Sequence, residues 1–346
     1  MTILALTAAG GGRAGEAAKC KLGKLGTLNL TMDGNMPLLD ATVNDQKVYL
    51  LMDTGAALSL ITKPATDRLQ LTRHAVPFAS VEGVGGRAQL YVARVKELKL
   101  GEWTARNIDM PVSSNHDIGA PDIAGILGEN FLSQFDLDID IAHNSVVLLK
   151  AMDCDDDTPL VLWQGNYADA DIGRSQQGNP KIWLTVKLNG QDVHAILDTG
   201  AYTSVLTQRA AERAGIKPDS PGVTRSGGSQ GIGDNEVQDY VGVFDSFELG
   251  DEQIKHVRLR FGDLFEHRGY NVPEMLLGLD FLRAHRVMVA HSQRKIYFTY
   301  LGGPVFQVTG PRLRRVTEDP TPAPPEGTTE GAADDRGTRP EDEHKP

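Results

Sequence analysis

Two apolar runs, "VYLLM" from Val48 to Met52 and "VHAIL" from Val193 to Leu197, set the pattern of this chain. Both are too apolar for a strand with one wet face, so each predicts a strand buried on both sides. Each run ends in the same phrase, Asp-Thr-Gly-Ala, at 53–56 and again at 198–201, an offset of 145 residues. Nine residues before each aspartate stands a hairpin signal, Asn44 in "VNDQ" and Asn189 in "LNGQ". Nine residues after it a threonine, Thr62 or Thr207, opens a helical stretch, "TKPATDRL" or "TQRAAERAG". Its hydroxyl is suited to capping the unpaired N–H groups of the first turn.

The parallel continues downstream. The glycine clusters "EGVGG" at 82–86 and "QGIGD" at 230–234 correspond, as do "ELKLGEW" with Gly101 and "SFELGDE" with Gly250. "GILGENFL" with Gly128 matches "MLLGLDFL" with Gly278, and "IAHNSVVLL" matches "VAHSQRKIYF". A self-match of this extent is an internal duplication. It predicts an N-terminal segment at 1–27, a first lobe at 28–150, a connecting segment at 151–179, a second lobe at 180–300 and a C-terminal extension at 301–346. The connection is marked by "DCDDDTP" and by the Gly, Asn and Gln residues near 173–179. Short strands dominate each unit, with one clear helix. The expected fold is therefore all-β, two homologous lobes related by a pseudo-twofold, each with one short helix.

A carboxylate at the end of a buried strand is costly, and a lone one would stay protonated. A pseudo-twofold would bring Asp53 and Asp198 to the same axis. Two carboxyls at hydrogen-bonding distance cannot both ionise, so they share one proton. One is then a base for water and the other an acid for a carbonyl oxygen, a pair able to hydrolyse an amide with no metal or cofactor. The neighbours suit that work. Gly55 and Gly200 let the two turns approach closely, and Thr54 and Thr199 can hydrogen-bond across the axis.

The net charge of −11 argues against a nucleic-acid partner. Part of it lies in 317–346, an acidic, proline-rich stretch that predicts a disordered tail or a docking segment. The two cysteines, Cys20 and Cys154, form no CxxC and imply no metal site; one disulfide or two buried thiols are both compatible. No apolar run has the roughly 20 residues of a membrane span. The opening "MTILALTAAGGGRAGEAAKC" resembles a signal peptide without its basic n-region, and a trimmed signal, a misassigned start or a loose end would each account for it.

With these residues in place, the chain resembles the retropepsin-like aspartic protease family, including bacterial members with two DTG-containing repeats in one chain. The likeness runs from about Cys20 to Tyr300, and its most specific parts are the phrases at 52–56 and 197–201 and the "ILG" and "LLG" phrases ending at Gly128 and Gly278. It implies two pepsin/retropepsin-like β-barrel lobes with a peptide cleft between them. It implies Asp53 and Asp198 as the catalytic dyad, with Gly128 and Gly278 allowing a strand to pass close behind each DTG turn. Gly83, Val84 and Gly85, with Gly231, Ile232 and Gly233, resemble the tips of glycine-rich flaps over the substrate; plain surface hairpins are the other reading. The first unit has no flap tyrosine of the pepsin kind, which fits a fused retroviral-style dimer better than a pepsin.

The expected function is that of an aspartic endopeptidase acting on protein or peptide substrates, without cofactor, as a monomer with an intramolecular pseudo-dimer. A non-catalytic peptide-binding scaffold and a protease active only as a homodimer are the alternatives. The likeness to secreted bacterial members, the N-terminus and the cysteines favour a periplasmic or secreted location over a cytoplasmic one. "GGSQG" at 227–231 fits a nucleophile elbow around Ser229, but no helical pattern follows it. His194 reads as outward-facing or packed, and His143 and His291 as turn residues at matching places in the repeat.

Overall fold

Each lobe grows from the hairpin its asparagine turn sets. Asn44 and Asp45 have φ of 48° and 65°, and Asn189 and Gly190 have 48° and 75°. Positive φ at both central residues suits the right-handed twist of the flanking strands. Those strands are Met36–Val43 with Gln46–Met52, and Trp183–Leu188 with Gln191–Leu197. The side-chain oxygen of Asn44 also accepts from Lys96 and Glu97 N–H groups at 2.9 and 3.0 Å, and that of Asn189 from Ser246 N–H at 3.1 Å. The turns are thereby tied to the next hairpin of the lobe.

In a computed structural model of the chain, residues 3–5, 20–83, 86–113, 118, 122–174, 180–226, 238–263 and 272–306 are described. The fold is all-β, two barrel lobes. In the first, Gln46–Met52 runs parallel to Ile123–Leu127, which pairs with Leu60–Thr62, then Trp103–Ser113 and Gly86–Leu100; the last closes on Met36–Val43. The second lobe repeats this order with Gln191–Leu197, Met275–Leu277, Val205–Thr207, Glu252–Gly262 and Asp239–Leu249, the last closing on Trp183–Leu188. One apolar core runs through both barrels, from Leu50, Met52 and Ile61 to Phe244, Phe247 and Phe261.

The lobes also share a sheet. Asp136–Asp140 of the first pairs with His285–Ala290 of the second, Asp138 opposite Met288. Across that seam the Arg286 guanidinium forks onto Asp138, with Nε–Oδ1 at 2.9 Å and Nη2–Oδ2 at 2.7 Å. Asp136 accepts from the Ser292 N–H and hydroxyl, both at 2.9 Å. The Arg286–Asp138 pair joins a half-buried group to a buried one, and these charge-assisted bonds hold the lobes in register.

Cys20 and Cys154 form a disulfide. It ties the start of Lys21–Asp33 to the end of Ser145–Met152, two strands already paired antiparallel. The bridge spans 134 residues of sequence, so it removes a large loop-closure entropy from the unfolded chain. Replacing both cysteines by serine is expected to lower unfolding free energy by about 2–4 kcal/mol, read by urea titration against the oxidised protein. An unchanged midpoint would contradict this.

Three details differ from the expectation. Among the described residues each lobe has two short α-helices, and the first also has a 3-10 turn at Ile141–His143: Thr62 and Thr207 cap Lys63–Arg68 and Gln208–Arg213, and one-turn helices Glu129–Leu132 and Leu279–Leu282 follow Gly128 and Gly278. A single turn is too short to register as a helical period in sequence. The long strand Lys21–Asp33 begins ahead of residue 28, because it pairs with Ser145–Met152. The connecting segment contributes a strand, Ala168–Asp171, to the edge beside Lys295–Tyr300. The tail at 317–346, Ser229 and the flap-tip residues Val84, Gly85, Gly231, Ile232 and Gly233 lie outside the described residues. Of the first flap, the pairing of Gly83 with Gly86 is described.

Candidate active site

Both aspartates sit where a buried strand runs out of ladder. The Asp53 N–H donates to Leu127 O at 3.0 Å, and the Asp198 N–H to Leu277 O at 2.9 Å, so each turn hangs from the strand that passes behind it. Close passage requires glycine there. A Cβ on Gly128 would lie 2.7 Å from Ala56 O, and one on Gly278 2.5 Å from Ala201 O. A serine after each turn completes the support. Ser59 Oγ accepts from Gly128 N–H at 2.9 Å and donates to Asn130 Oδ1 at 2.7 Å. Ser204 Oγ accepts from Gly278 N–H at 2.9 Å and donates to Asp280 Oδ1 at 2.6 Å.

The two turns grip each other through their threonines. Thr54 N–H donates to Thr199 Oγ1 and Thr199 N–H to Thr54 Oγ1, both at 3.0 Å. Each hydroxyl then donates to the other lobe's strand end, Thr54 to Leu197 O at 2.8 Å and Thr199 to Met52 O at 2.7 Å. Both threonines are fully buried, so the four bonds are shielded from water.

This clasp presses the acids together. The Asp53 and Asp198 carboxyls lie close enough to interact directly. A Cβ on Gly55 would lie 2.3 Å from Asp198 Cγ, and one on Gly200 2.5 Å from Asp53 Cγ. Each carboxyl therefore rests on the opposite turn's glycine. Asp53 Oδ1 accepts from Ala56 N–H at 2.9 Å, whereas Asp198 Oδ1 accepts from Gly200 and Ala201 N–H at 2.8 and 3.1 Å.

The electrostatics follow. Burial first, then the charge of Asp198, pushes Asp53 up to about 8. Burial also raises Asp198, but Lys181, the Asp53 carboxyl and the two N–H donors oppose it. Two backbone N–H donors on Asp198 against one on Asp53 favour the negative charge on Asp198.

Behind Asp53 lies a second acid. Glu129 is fully buried, neither of its oxygens is hydrogen-bonded, and Oε2 is 3.6 Å from His291 Nε2. Burial, then the Asp53 charge, holds Glu129 well above the usual carboxylate range, and burial lowers His291 to about 4. In the second lobe the same position is Leu279, and Asp280 is raised by burial to about 6.

The match to known proteins agrees with this architecture. Residues 184–281 match the family described as "Aspartyl protease", and residues 39–134 the family described as "gag-polyprotein putative aspartyl protease". The chain belongs to the retropepsin-like aspartic proteases, carrying one such domain in each lobe. DNA damage-inducible protein 1 of Kluyveromyces lactis is similar to part of it, 29% identical over 112 residues, which is 31% of this chain and 24% of that protein. The chain matches only about a quarter of that relative's length.

The structure brings together Asp53, Thr54, Gly55, Asp198, Thr199 and Gly200, with Gly128 and Gly278 behind them. His194 is exposed and lies on the far side of its strand from Val193 and Ala195. His143 pairs with Asp140 at a turn, Nδ1 to Oδ1 at 2.8 Å. Sequence reasoning missed Ser59, Ser204, Asn130, Asp280, Glu129 and Lys181. The serines and their partners recur at fixed places in both repeats, and a residue-by-residue alignment of the two halves would have found them.

Proposed function

We propose that the protein is an aspartic endopeptidase that hydrolyses peptide bonds of protein substrates with a water held between Asp53 and Asp198. The observation that carries this is the pair of acids brought together by the clasp of Thr54 and Thr199, each carboxyl set against the opposite turn's glycine. In the reading adopted, ionised Asp198 takes a proton from water as the oxygen attacks the scissile carbonyl. Asp53 gives its proton to the carbonyl oxygen, and the tetrahedral diol that forms is neutral. Collapse returns a diol proton to Asp53, passes the Asp198 proton to the leaving amine, and breaks the C–N bond. Both acids come from one chain, which supports a monomeric active species. The disulfide supports an oxidising compartment, periplasmic or extracellular.

The test is mass-spectrometric profiling of a proteome-derived peptide mixture incubated with the full chain across pH 4 to 9. Internal cleavage is expected, with activity falling as Asp53 loses its proton near pH 8 and with a statine-containing peptide blocking it. Peptide binding without cleavage at every pH would favour a non-catalytic scaffold. Activity that rises with the square of protein concentration would favour a homodimer.

A further inference from the structure

The pseudo-twofold that relates the two aspartates sets a lysine beside one of them where the other has a methionine. In the second lobe Trp183 lies opposite Ile196 and Leu184 opposite Ala195. The Leu197 N–H continues that register by donating to Ile182 O at 3.0 Å. One step further the register sets Lys181 opposite Asp198. Cross-strand neighbours project to the same face, so Lys181 shares the face of Trp183 and Ile196, which pack in one cluster with Ala201 of the turn. In the first lobe Leu38 lies opposite Leu51 and Leu39 opposite Leu50. The same extension sets Met36 opposite Asp53, and Met36 packs in the apolar cluster of Leu38, Leu51 and Leu60. Lys181 is half-buried, and among the described residues it forms no ion pair.

We propose that Lys181 is a positioning residue for the acid pair, its ammonium keeping one carboxyl ionised and drawing that charge to the Asp198 side. The proposal rests on the dyad reading above. Among the described residues, the other titratable groups behind the pair are Glu129 and His291 at the Asp53 turn and Asp280, bonded to Ser204, at the Asp198 turn. Burial works against the charged forms of both Glu129 and His291, behind the Asp53 turn. Leu279, at the matching place behind the Asp198 turn, is apolar. The direction agrees with the acids themselves, because the Lys181 charge lowers Asp53 and Asp198 alike against the burial that raises them. A retained positive charge offsets part of the cost of an anion in a closed site, where attraction is strongest.

The experiment is a carbon-13 NMR titration of aspartate carboxyls in the full chain, comparing wild type, Lys181→Met and Lys181→Arg, with Asp53→Asn and Asp198→Asn for assignment. Methionine copies the first lobe and keeps the length of the side chain. Both dyad titrations are expected to move up by about one pH unit in Lys181→Met and by much less in Lys181→Arg. The kcat/KM profile of Lys181→Met should move the same way, its acidic limb falling about tenfold at a pH one unit below the wild-type midpoint. Should Lys181→Met not fold, Lys181→Gln takes its place with the same expectation. Titrations that coincide with wild type, or a lower plateau with unmoved limbs, would overturn the role. Because carboxyl titration needs no turnover, a wild type that cleaves nothing would count against the proteolytic reading alone.

Discussion

Asp53→Asn and Asp198→Asn are each expected to reduce peptide hydrolysis by about 10³-fold or more, because either change removes the acid or the base from a pair that works as one unit. The same variants should be more stable than wild type above neutral pH. The sign follows from linkage. Asp53 is raised to about 8 in the fold from its ordinary 3.8, so the folded state retains a proton that the unfolded chain releases. Its stabilising contribution is full below pH ~4 and is lost as pH rises through ~8. His291, lowered to about 4, has the opposite slope between that pH and its ordinary 6.5, but it is present in both proteins and cancels in the comparison. Thermal unfolding at pH 8 should therefore show Asp53→Asn ahead by on the order of 2 kcal/mol, the gap closing at pH 4. Hydrolysis that persists in either variant would remove the shared-proton mechanism. A gap that widens on acidification would contradict the assigned direction.

Gly128→Ala and Gly278→Ala are expected to disrupt the site strongly without touching the acids. The added methyl would stand 2.7 Å from Ala56 O in the first lobe and 2.5 Å from Ala201 O in the second. Both obstacles are backbone of the DTG turn, so relief must come by displacing the turn that carries the acid. A loss of about 3 kcal/mol or more is expected, with activity falling alongside, since ångström misplacement of a reacting group is costly. Gly26→Ala is the control. A Cβ there meets nothing within 4 Å, and its urea midpoint should stay within about 1 kcal/mol of wild type. If Gly128→Ala unfolds at the wild-type midpoint with full activity, the close strand passage is not what holds the turn.

Much of this was readable because duplication prints each constraint twice. The paired Asp-Thr-Gly-Ala phrases, the asparagine turns and the capping threonines each have a local physical reason, and their recurrence turns ordinary turns into a pattern. The clasp partners Thr54 and Thr199 were readable for the same reason. The shared sheet was not. Pairing of Asp136–Asp140 with His285–Ala290 joins residues far apart in sequence, and nothing in either strand's periodicity names its partner. Lys181 and Glu129 escaped for a different cause. They matter because they break the repeat, standing where the other half has Met36 and Leu279, and a search for likeness passes over such places.

Fusion of the two halves has one more consequence. A cleft assembled from two separate copies of a half-size chain is governed by mass action, and dilution empties it. Here both turns are covalently joined and strapped by Arg286 onto Asp138, so on the monomeric reading proposed above the site stays assembled however scarce the molecule becomes. Control by abundance is lost, and each half is free to drift from its twin.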